Sequence, residues 1–275
     1  MYFSRCIQMR KIKVLSILLL IISILAFGAY LFYAEITSDN KAPVLQCDSE
    51  ELTVSVNTTE EELLQGVTAE DDKSGDVTNT LVVESISTFA EGGKRIITYA
   101  AIDEKGNVGR IQRILKYTDY TVPTFDLTAP LRFSMGSSIN ILGRVKAQSA
   151  LDGDLTDSIK YSLESTIDLK NPGVYSVEFR VADSGGNVEY LPLEVEVYDQ
   201  TEERITVVLS EYLIYLPVNA AFNPQTYFVG SDIDGDLSIQ SNVDVTKEGV
   251  YTVDYVVSSE NSIGKSRLVV IVTGS

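Results

Sequence analysis

Gly173-Val174-Tyr175-Ser176-Val177-Glu178-Phe179-Arg180-Val181-Ala182-Asp183-Ser184-Gly185-Gly186-Asn187 is the stretch whose reading decides the fold. Tyr175, Val177, Phe179 and Val181 alternate with Val174, Ser176, Glu178 and Arg180. A period of two with one apolar face marks a strand that covers a core on one side. The Asp-x-x-Gly-Asn after it predicts a hairpin loop, a type I turn with glycine in the left-handed position. Beyond the loop Leu191, Leu193, Val195 and Val197 alternate with Tyr190, Pro192, Glu194 and Glu196, so a second strand returns against the first. Upstream, Asp152-Gly153-Asp154-Leu155-Thr156 supplies an acidic turn.

Working outward, the same order recurs twice. Asp72-Lys73-Ser74-Gly75-Asp76-Val77-Thr78 leads through Gly93 and the alternating Ile97, Tyr99 and Ala101 to Asp103-Glu104-Lys105-Gly106-Asn107. Asp234-Gly235-Asp236-Leu237-Ser238 leads through Gly249-Val250-Tyr251 and the alternating Val253, Tyr255 and Val257 to Asn261-Ser262-Ile263-Gly264-Lys265. The Gly-Asp aspartates stand at 76, 154 and 236, and the later turns begin at 103, 183 and 261. A repeat of about 80 residues is too long for a solenoid unit and suits a small domain. Strands with turn signals every 8–12 residues or so predict sandwiches.

The order Gly-Asp-x-Thr/Ser, Gly-x-Tyr-x-Val-x-Tyr/Phe, Asp-x-x-Gly-Asn and a final Val-x-Val strand resembles the bacterial immunoglobulin-like domain of the pesticidal-crystal-protein type. The middle copy fits best. The first has Gly92-Gly93-Lys94-Arg95 in place of Gly-x-Tyr, and the third puts Asn261 and Lys265 where the turn takes Asp and Asn. The resemblance implies a seven-strand-like sandwich in each copy, an extracellular spacer or adhesive role, and no catalytic residue. The expected fold is all-β: three tandem Ig-like β-sandwiches preceded by one transmembrane α-helix.

That helix is legible without any family. Val14 to Ala34 is 21 residues without a charge, about 31 Å of helix against a hydrocarbon core of about 30 Å. Arg5, Arg10, Lys11 and Lys13 precede it with no acid, which by the positive-inside rule leaves the N-terminus in the cytoplasm and the rest outside. A cleaved signal peptide is the alternative, with a small-x-small site at Ala26-Phe27-Gly28. The apolar run is long for that, and in either case the body is exported. The expected segments are 1–13 cytoplasmic, 14–34 transmembrane, then domains over 40–118, 119–199 and 200–273.

Of 22 basic residues only four fall in 1–34; the other 18 face all 39 acids, so residues 35–275 carry −21. A surface this acidic argues against nucleic acid, whose phosphates need clustered Lys and Arg. The chain has no His, which removes the commonest general base and zinc ligand. Its two cysteines, Cys6 and Cys47, flank the apolar run and cannot pair within one chain. Burial is the expected fate of Cys47, as a small hydrophobe.

Calcium is the cation that the acidic turns would take, through Asp152 and Asp154 or Asp232, Asp234 and Asp236. The spacing around Asp232 fails an EF-hand, with Gly at position four and Leu237 at six. The reading adopted is structural: each Asp bonds nearby amides. No catalytic, cofactor-binding or metal residue and no cofactor is therefore assigned. P-loop, dinucleotide, Gly-x-Ser-x-Gly and His-Glu-x-x-His patterns are absent from the sequence, and acids recurring in three copies speak for the fold, so no enzyme is expected. Tyr99, Tyr175, Tyr251 and Tyr255 read as core; Tyr212, Tyr215 and Tyr227 are less clearly buried. Asn57-Thr58-Thr59 matches a glycosylation acceptor.

The expected function is a single-pass, membrane-anchored bacterial surface protein displaying its domains as a binding, adhesion or spacer module for an extracellular protein or polysaccharide. The alternative is a structural subunit of a cell-envelope assembly that docks through its transmembrane helix, Gly28-Ala29 being the small pair that would face a partner. The topology has a direct test. A membrane-impermeant maleimide added to intact cells is expected to leave Cys6 unlabelled until lysis, and labelling before lysis would reverse the orientation.

Overall fold

One-faced alternation needs a second sheet to cover its apolar side, and the computed structural model supplies one in each copy. It describes residues 2–274, with side chains from 13 onward. The side chains of Arg5, Cys6, Arg10 and Lys11, on which the topology rests, lie outside the described residues. Helix α1 (Tyr2–Thr37) contains the apolar run, and its Lys13–Thr37 portion is long and apolar enough to cross a membrane. Val14, Leu18, Ile22, Leu25 and Phe32 stand exposed around it, as suits a lipid-facing helix.

The chain divides into two compact units. One holds Met1–Glu50, Thr59–Ile86 and Ile97–Arg113; the other holds Glu51–Thr58, Ser87–Ile96 and Ile114–Ser275. The first copy's strands are β1 (Val44–Cys47), β2 (Glu51–Val54), β3 (Val67–Asp71), β4 (Gly75–Asp76), β5 (Val82–Ile86), β6 (Arg95–Ile102) and β7 (Val108–Tyr117), with α2 (Glu60–Leu63) before β3. Within the first unit β3 pairs antiparallel with β1 and β4, and β5 pairs with β6. Ile97, Tyr99 and Ala101, the predicted inward set, are buried there with Leu45, Val67 and Ala69. The Tyr99 hydroxyl donates to the Leu63 carbonyl at 2.9 Å, pinning α2 over the core.

The second unit contains the clearest sandwich. Its strands are β8 (Thr124–Leu127), β9 (Arg132–Ser134), β10 (Val145–Ser149), β11 (Gly153–Asp154), β12 (Lys160–Leu163), β13 (Gly173–Ala182) and β14 (Val188–Tyr198). One sheet runs β11-β10-β8 and the other β12-β13-β14-β9, with β9 parallel to β14. Along β13, Val177, Phe179 and Val181 are buried while Ser176, Glu178 and Arg180 are exposed, the predicted register. Leu191, Leu193, Val195 and Val197 do the same on β14.

The third set is β15 (Val207–Leu209), β16 (Leu213–Pro217), β17 (Phe228–Ser231), β18 (Asp236–Ser241), β19 (Gly249–Ser259) and β20 (Ser262–Thr273). β15 pairs with β17, facing a sheet in the order β16-β20-β19-β18. Val253, Tyr255 and Val257 are buried as predicted. Two expectations for this copy change. Gly75 and Gly153 turn with φ of 74° and 72°, a left-handed conformation that opens the two-residue strands β4 and β11. Gly235 lacks that conformation: a Cβ there would lie 2.4 Å from the Ser258 carbonyl oxygen, and Asp236 passes directly into β18. The later turn is also shorter, because Ser259 pairs with Ser262 and Gly264 lies within β20.

The register yields a sharp contrast. Val177 is 2% exposed, so Val177→Asp is expected to unfold its sandwich, an unpaired buried carboxylate costing several kcal/mol against a domain stability of about 5–15. Glu178→Lys next to it is expected to shift stability by no more than about 0.5 kcal/mol. Thermal melts of the two variants decide it: equal losses would overturn the register.

Candidate functional site

Of the acids singled out by sequence, Asp152, Asp154 and Asp232 accept backbone amides, as does Asp76, while Asp234 and Asp236 are exposed. Asp76 and Asp154 each accept the amide of the Thr two residues on, Thr78 and Thr156, at 2.9 Å. Those threonines accept in turn from the amides of Ala69 and Ala147. Gly-Asp-x-Thr is thus a relay that fastens the acidic turn to β3 or β10. The threonine hydroxyl and amide hold both carboxyls below the usual range. Asp152 accepts from the Ser184 amide at 2.7 Å, joining the acidic turn to the Asp-x-x-Gly-Asn loop. Asp232 accepts from the Thr206 amide at 2.7 Å.

The Asp-x-x-Gly-Asn loops do more than reverse the chain. Asp103 accepts from the amides of Lys105 and Asn107 at 2.8 Å and from the Asn107 side chain at 2.7 Å. Burial works to raise its carboxyl, but these hydrogen bonds hold it low. Asp183 accepts from the Asn187 amide at 2.9 Å, and its other oxygen accepts the Tyr120 hydroxyl at 2.6 Å. The Asn187 side chain donates back to that hydroxyl at 2.5 Å, and the Tyr120 ring stacks 4.4 Å from Phe89. Burial first, then the bond to Asp183, pushes the phenol up. The loop of the second sandwich therefore grips the segment that leads into it.

Within the second unit, the junction between the second and third sandwiches is built on Arg132. Its side chain is 8% exposed and reaches Glu196 at 2.8 Å and Glu203 at 2.5 Å. It also donates to the Lys265 carbonyl at 2.6 Å and lies 4.8 Å over the Tyr198 ring. Lys265 binds the other oxygen of Glu203 at 3.0 Å. Burial works to raise Glu196, but the Arg132 guanidinium holds it below the ordinary carboxylate range. Apolar packing runs across the same junction: Leu213 and Val269 of the third sandwich belong to the core of the second, with Tyr212 and Ile271 against it. Tyr215 is 37% exposed, yet its oxygen accepts the Phe125 amide at 2.8 Å.

Beside this junction lies a cleft of about 660 Å³. Glu164, Glu178 and Glu194 line it from β12–β14 and their flanks, and Asn242, Thr252 and Arg267 from the third sandwich. Arg267 is clamped by Asp254 at 2.6 Å and Glu194 at 2.8 Å. Such a surface offers hydroxyls, an amide and carboxylates around two fixed guanidiniums, those of Arg132 and Arg267, suited to a hydroxyl-rich ligand.

Tyr99 and Tyr255 are fully buried, and Tyr255, donating to the Pro224 carbonyl at 2.6 Å, is pushed up to about 12 by burial. Tyr175 and Tyr251 are half-buried and donate to the carbonyls of Asp168 and Lys247. Tyr227 is half-buried against Phe222. Cys47 is half-buried at the end of β1, its thiol pushed up by burial. Asn57 is exposed, and Thr59 caps α2 through the Glu62 amide. Among the described residues, the loops at 152–154 and 232–236 do not bring three carboxylates together, whereas Asp39, Asp71 and Asp72 lie within 4.8 Å of one another. Sequence reasoning missed this group, because 32 residues separate Asp39 from Asp71.

Known proteins match the chain in parts. It is 26% identical over 205 residues to the pesticidal crystal protein Cry22Aa of Bacillus thuringiensis, covering 69% of this chain and 27% of that protein. It is 25% identical over 162 residues to an uncharacterised 81.3 kDa protein of Acholeplasma phage L2, covering 59% of this chain and 20% of that protein. The chain thus spans about a quarter of the length of these relatives. Among solved structures, human CDH23 EC21-23 aligns with 84% of this chain and all of that chain at 11% identity and a TM-score of 0.22. The structure of CBM51-2 in complex with GlcNAc and INT domains from Clostridium perfringens ZmpB aligns with 84% of this chain and 42% of that chain, at 16% identity and a TM-score of 0.23. No family model matches the sequence.

The Arg132 network predicts its own energetics. Arg132→Met leaves the shielded Glu196 without its cation and Glu203 with Lys265 alone, and is expected to cost about 3–5 kcal/mol in urea unfolding. The contribution of Glu196 is present above the ordinary glutamate pKa of about 4.3 and is lost as pH falls through its depressed folded value. Arg110→Met, which removes a pair with Glu84 in solvent, is expected to change the unfolding curve little. Equal effects would mean that the Arg132 cluster is a surface network.

Proposed function

We propose that the chain is a single-pass surface protein of a bacterial cell, anchored by α1 with its N-terminus inside, whose sandwiches stand outside as a stiff spacer and binding module without catalysis. The observation that carries this reading is the junction of the second and third sandwiches. A shared core with Leu213 and Val269 and a shielded Arg132–Glu196–Glu203 cluster join the two sandwiches as one body. A flexible string of beads needs neither; a spacer that holds a ligand surface at a set orientation needs both. The cleft beside Arg267 is the surface it would present, to an extracellular protein or polysaccharide.

The absence of catalysis is supported by the charges of the cleft. Arg132 and Arg267 are each engaged by two carboxylates, Glu196 and Glu203 for one and Asp254 and Glu194 for the other, so neither cation is left to stabilise a developing charge. Export is supported by the apolar helix and its basic flank. The bacterial setting is supported by the match to part of the Bacillus thuringiensis protein.

Spin-label distance measurement tests the stiffness. With Cys6 and Cys47 changed to Ser and labels placed at Lys160→Cys and Val229→Cys, both exposed, one narrow distance distribution is expected, broadening on Arg132→Met. A broad distribution in the otherwise native chain would overturn the spacer reading. Protease added to intact cells is expected to remove residues 40–275, and their protection would overturn the display.

A further inference from the structure

We infer that Asp39, Asp71 and Asp72 form a calcium site where the chain leaves α1 and enters the first sandwich. Their carboxylate oxygens lie within 4.8 Å of one another. Asp39 lies two residues beyond the end of α1 at Thr37, and Asp71 closes β3. All three belong to the same compact unit.

A cluster of acids can be a solvated surface; Asp71 is not. It is 7% exposed, and among the described residues its Oδ2 is buried without a hydrogen-bond partner. Its Oδ1 accepts the amides of Lys73 at 3.0 Å and Ser74 at 2.7 Å, which completes the turn. The repeat shows that the turn asks for nothing more. Asp71 pairs with Gly75 as Ser149 pairs with Gly153. Ser149 Oγ accepts the amides of Leu151 and Asp152, the same positions in its turn, with a single oxygen. The second carboxylate oxygen of Asp71 is therefore surplus to folding, and a buried surplus anion is costly unless a cation meets it.

Asp39 carries the same signature. It stands four residues before Pro43 as Asp119 stands four before Pro123. Both oxygens of Asp119 are occupied, by the Ser55 hydroxyl at 2.6 Å and the Val56 amide at 2.8 Å. Asp39 uses only Oδ1, for the Lys41 amide, and its Oδ2 is buried without a partner among the described residues. The two orphan oxygens belong to the same group. Asp72 pairs with Lys41 at 2.5 Å, but that lysine side chain is 76% exposed and free to swing into water when a divalent ion arrives. Three carboxylates and no nitrogen or sulfur ligand define a hard oxygen site, completed by water, of the kind calcium prefers. A bound ion would tie the exit of the helix to the turn after β3, alongside the bonds that Lys73 already makes to the carbonyls of Ile36 and Ser38.

Calorimetric titration of the full chain in detergent micelles with calcium chloride, and separately with magnesium chloride, tests the site. One calcium per chain is expected to bind with Kd of about 0.1–1 mM, the range of extracellular modules, and at least about tenfold more tightly than magnesium. Asp71→Ser, which installs the residue used in the second copy, is expected to weaken binding at least about tenfold while the melting temperature in EDTA stays level or rises. Should that variant fail to fold, Asp39→Asn leaves the turn untouched and carries the same binding expectation. Asp152→Asn with Asp154→Asn is expected to bind as the native chain does. No saturable calcium binding up to about 10 mM, equal affinity for magnesium, or native binding in the folded Asp71 or Asp39 variant would overturn the site. Because the readout is binding to purified protein, it stands or fails independently of the spacer reading.

Discussion

Each sandwich depends on one constraint: the long hairpin β6–β7, β13–β14 or β19–β20 must bury every second side chain. In β13, Val177, Phe179 and Val181 leave solvent together, and a slip of one residue would exchange them for Ser176, Glu178 and Arg180. The hairpin turn is therefore where register has to be enforced. Asp103 and Asp183 enforce it by accepting amides across the loop, while Asn107 adds its side chain to Asp103 and Asn187 reaches Tyr120. Ionised carboxylates bind amides more strongly than neutral acceptors do, so a highly acidic chain spends part of its charge on holding its backbone.

The junctions follow from the same turns. Once the Asp183 loop is fixed, its free oxygen and Asn187 can hold Tyr120, so the hairpin positions the segment that precedes its own sandwich. The third copy reaches the same end with different chemistry. Its turn is tighter, and the Ile263 carbonyl accepts the amides of Arg204 and Ile205 instead. With no aspartate available at that corner, charge enters through Arg132, Glu203 and Lys265 on the adjoining strands and linker. The apolar contact of Leu213 and Val269 with the neighbouring core sets how close the two sandwiches come; the ion cluster sets their orientation.

The fold was legible because its signals are local. Alternation, Gly-Asp-x-Thr and Asp-x-x-Gly-Asn each act within a few residues, and the burial of Tyr99, Val177 and Val253 follows directly. The third copy departed where a contact distant in sequence intervened, the Ser258 carbonyl against Gly235. Arg132 left only a faint trace, a charge between the buried Leu131 and Phe133, because Glu196 and Glu203 lie 64 and 71 residues away. Asp39 and Asp71 left none: each looks like one more acid in a chain with 39.

Comparison among copies supplies what a single reading lacks, because three sandwiches solve the same backbone problem with different side chains. Tyr99 and Tyr255 occupy the place that Phe179 takes in the second copy, at the centre of the inward row. The phenols end on the carbonyls of Leu63 and Pro224, which α2 and the helical turn at Pro224–Tyr227 hold over the core. In the second copy the corresponding turn, Leu142–Arg144, follows a buried Ile141, and an apolar ring packs there without a hydroxyl. A polar atom thus appears in the core where the backbone offers it a partner and disappears where it does not, as the cost of an unsatisfied buried group requires. Judged by that rule, a hydroxyl oxygen suffices at Ser149, and the additional oxygen at Asp71 answers to something outside the backbone.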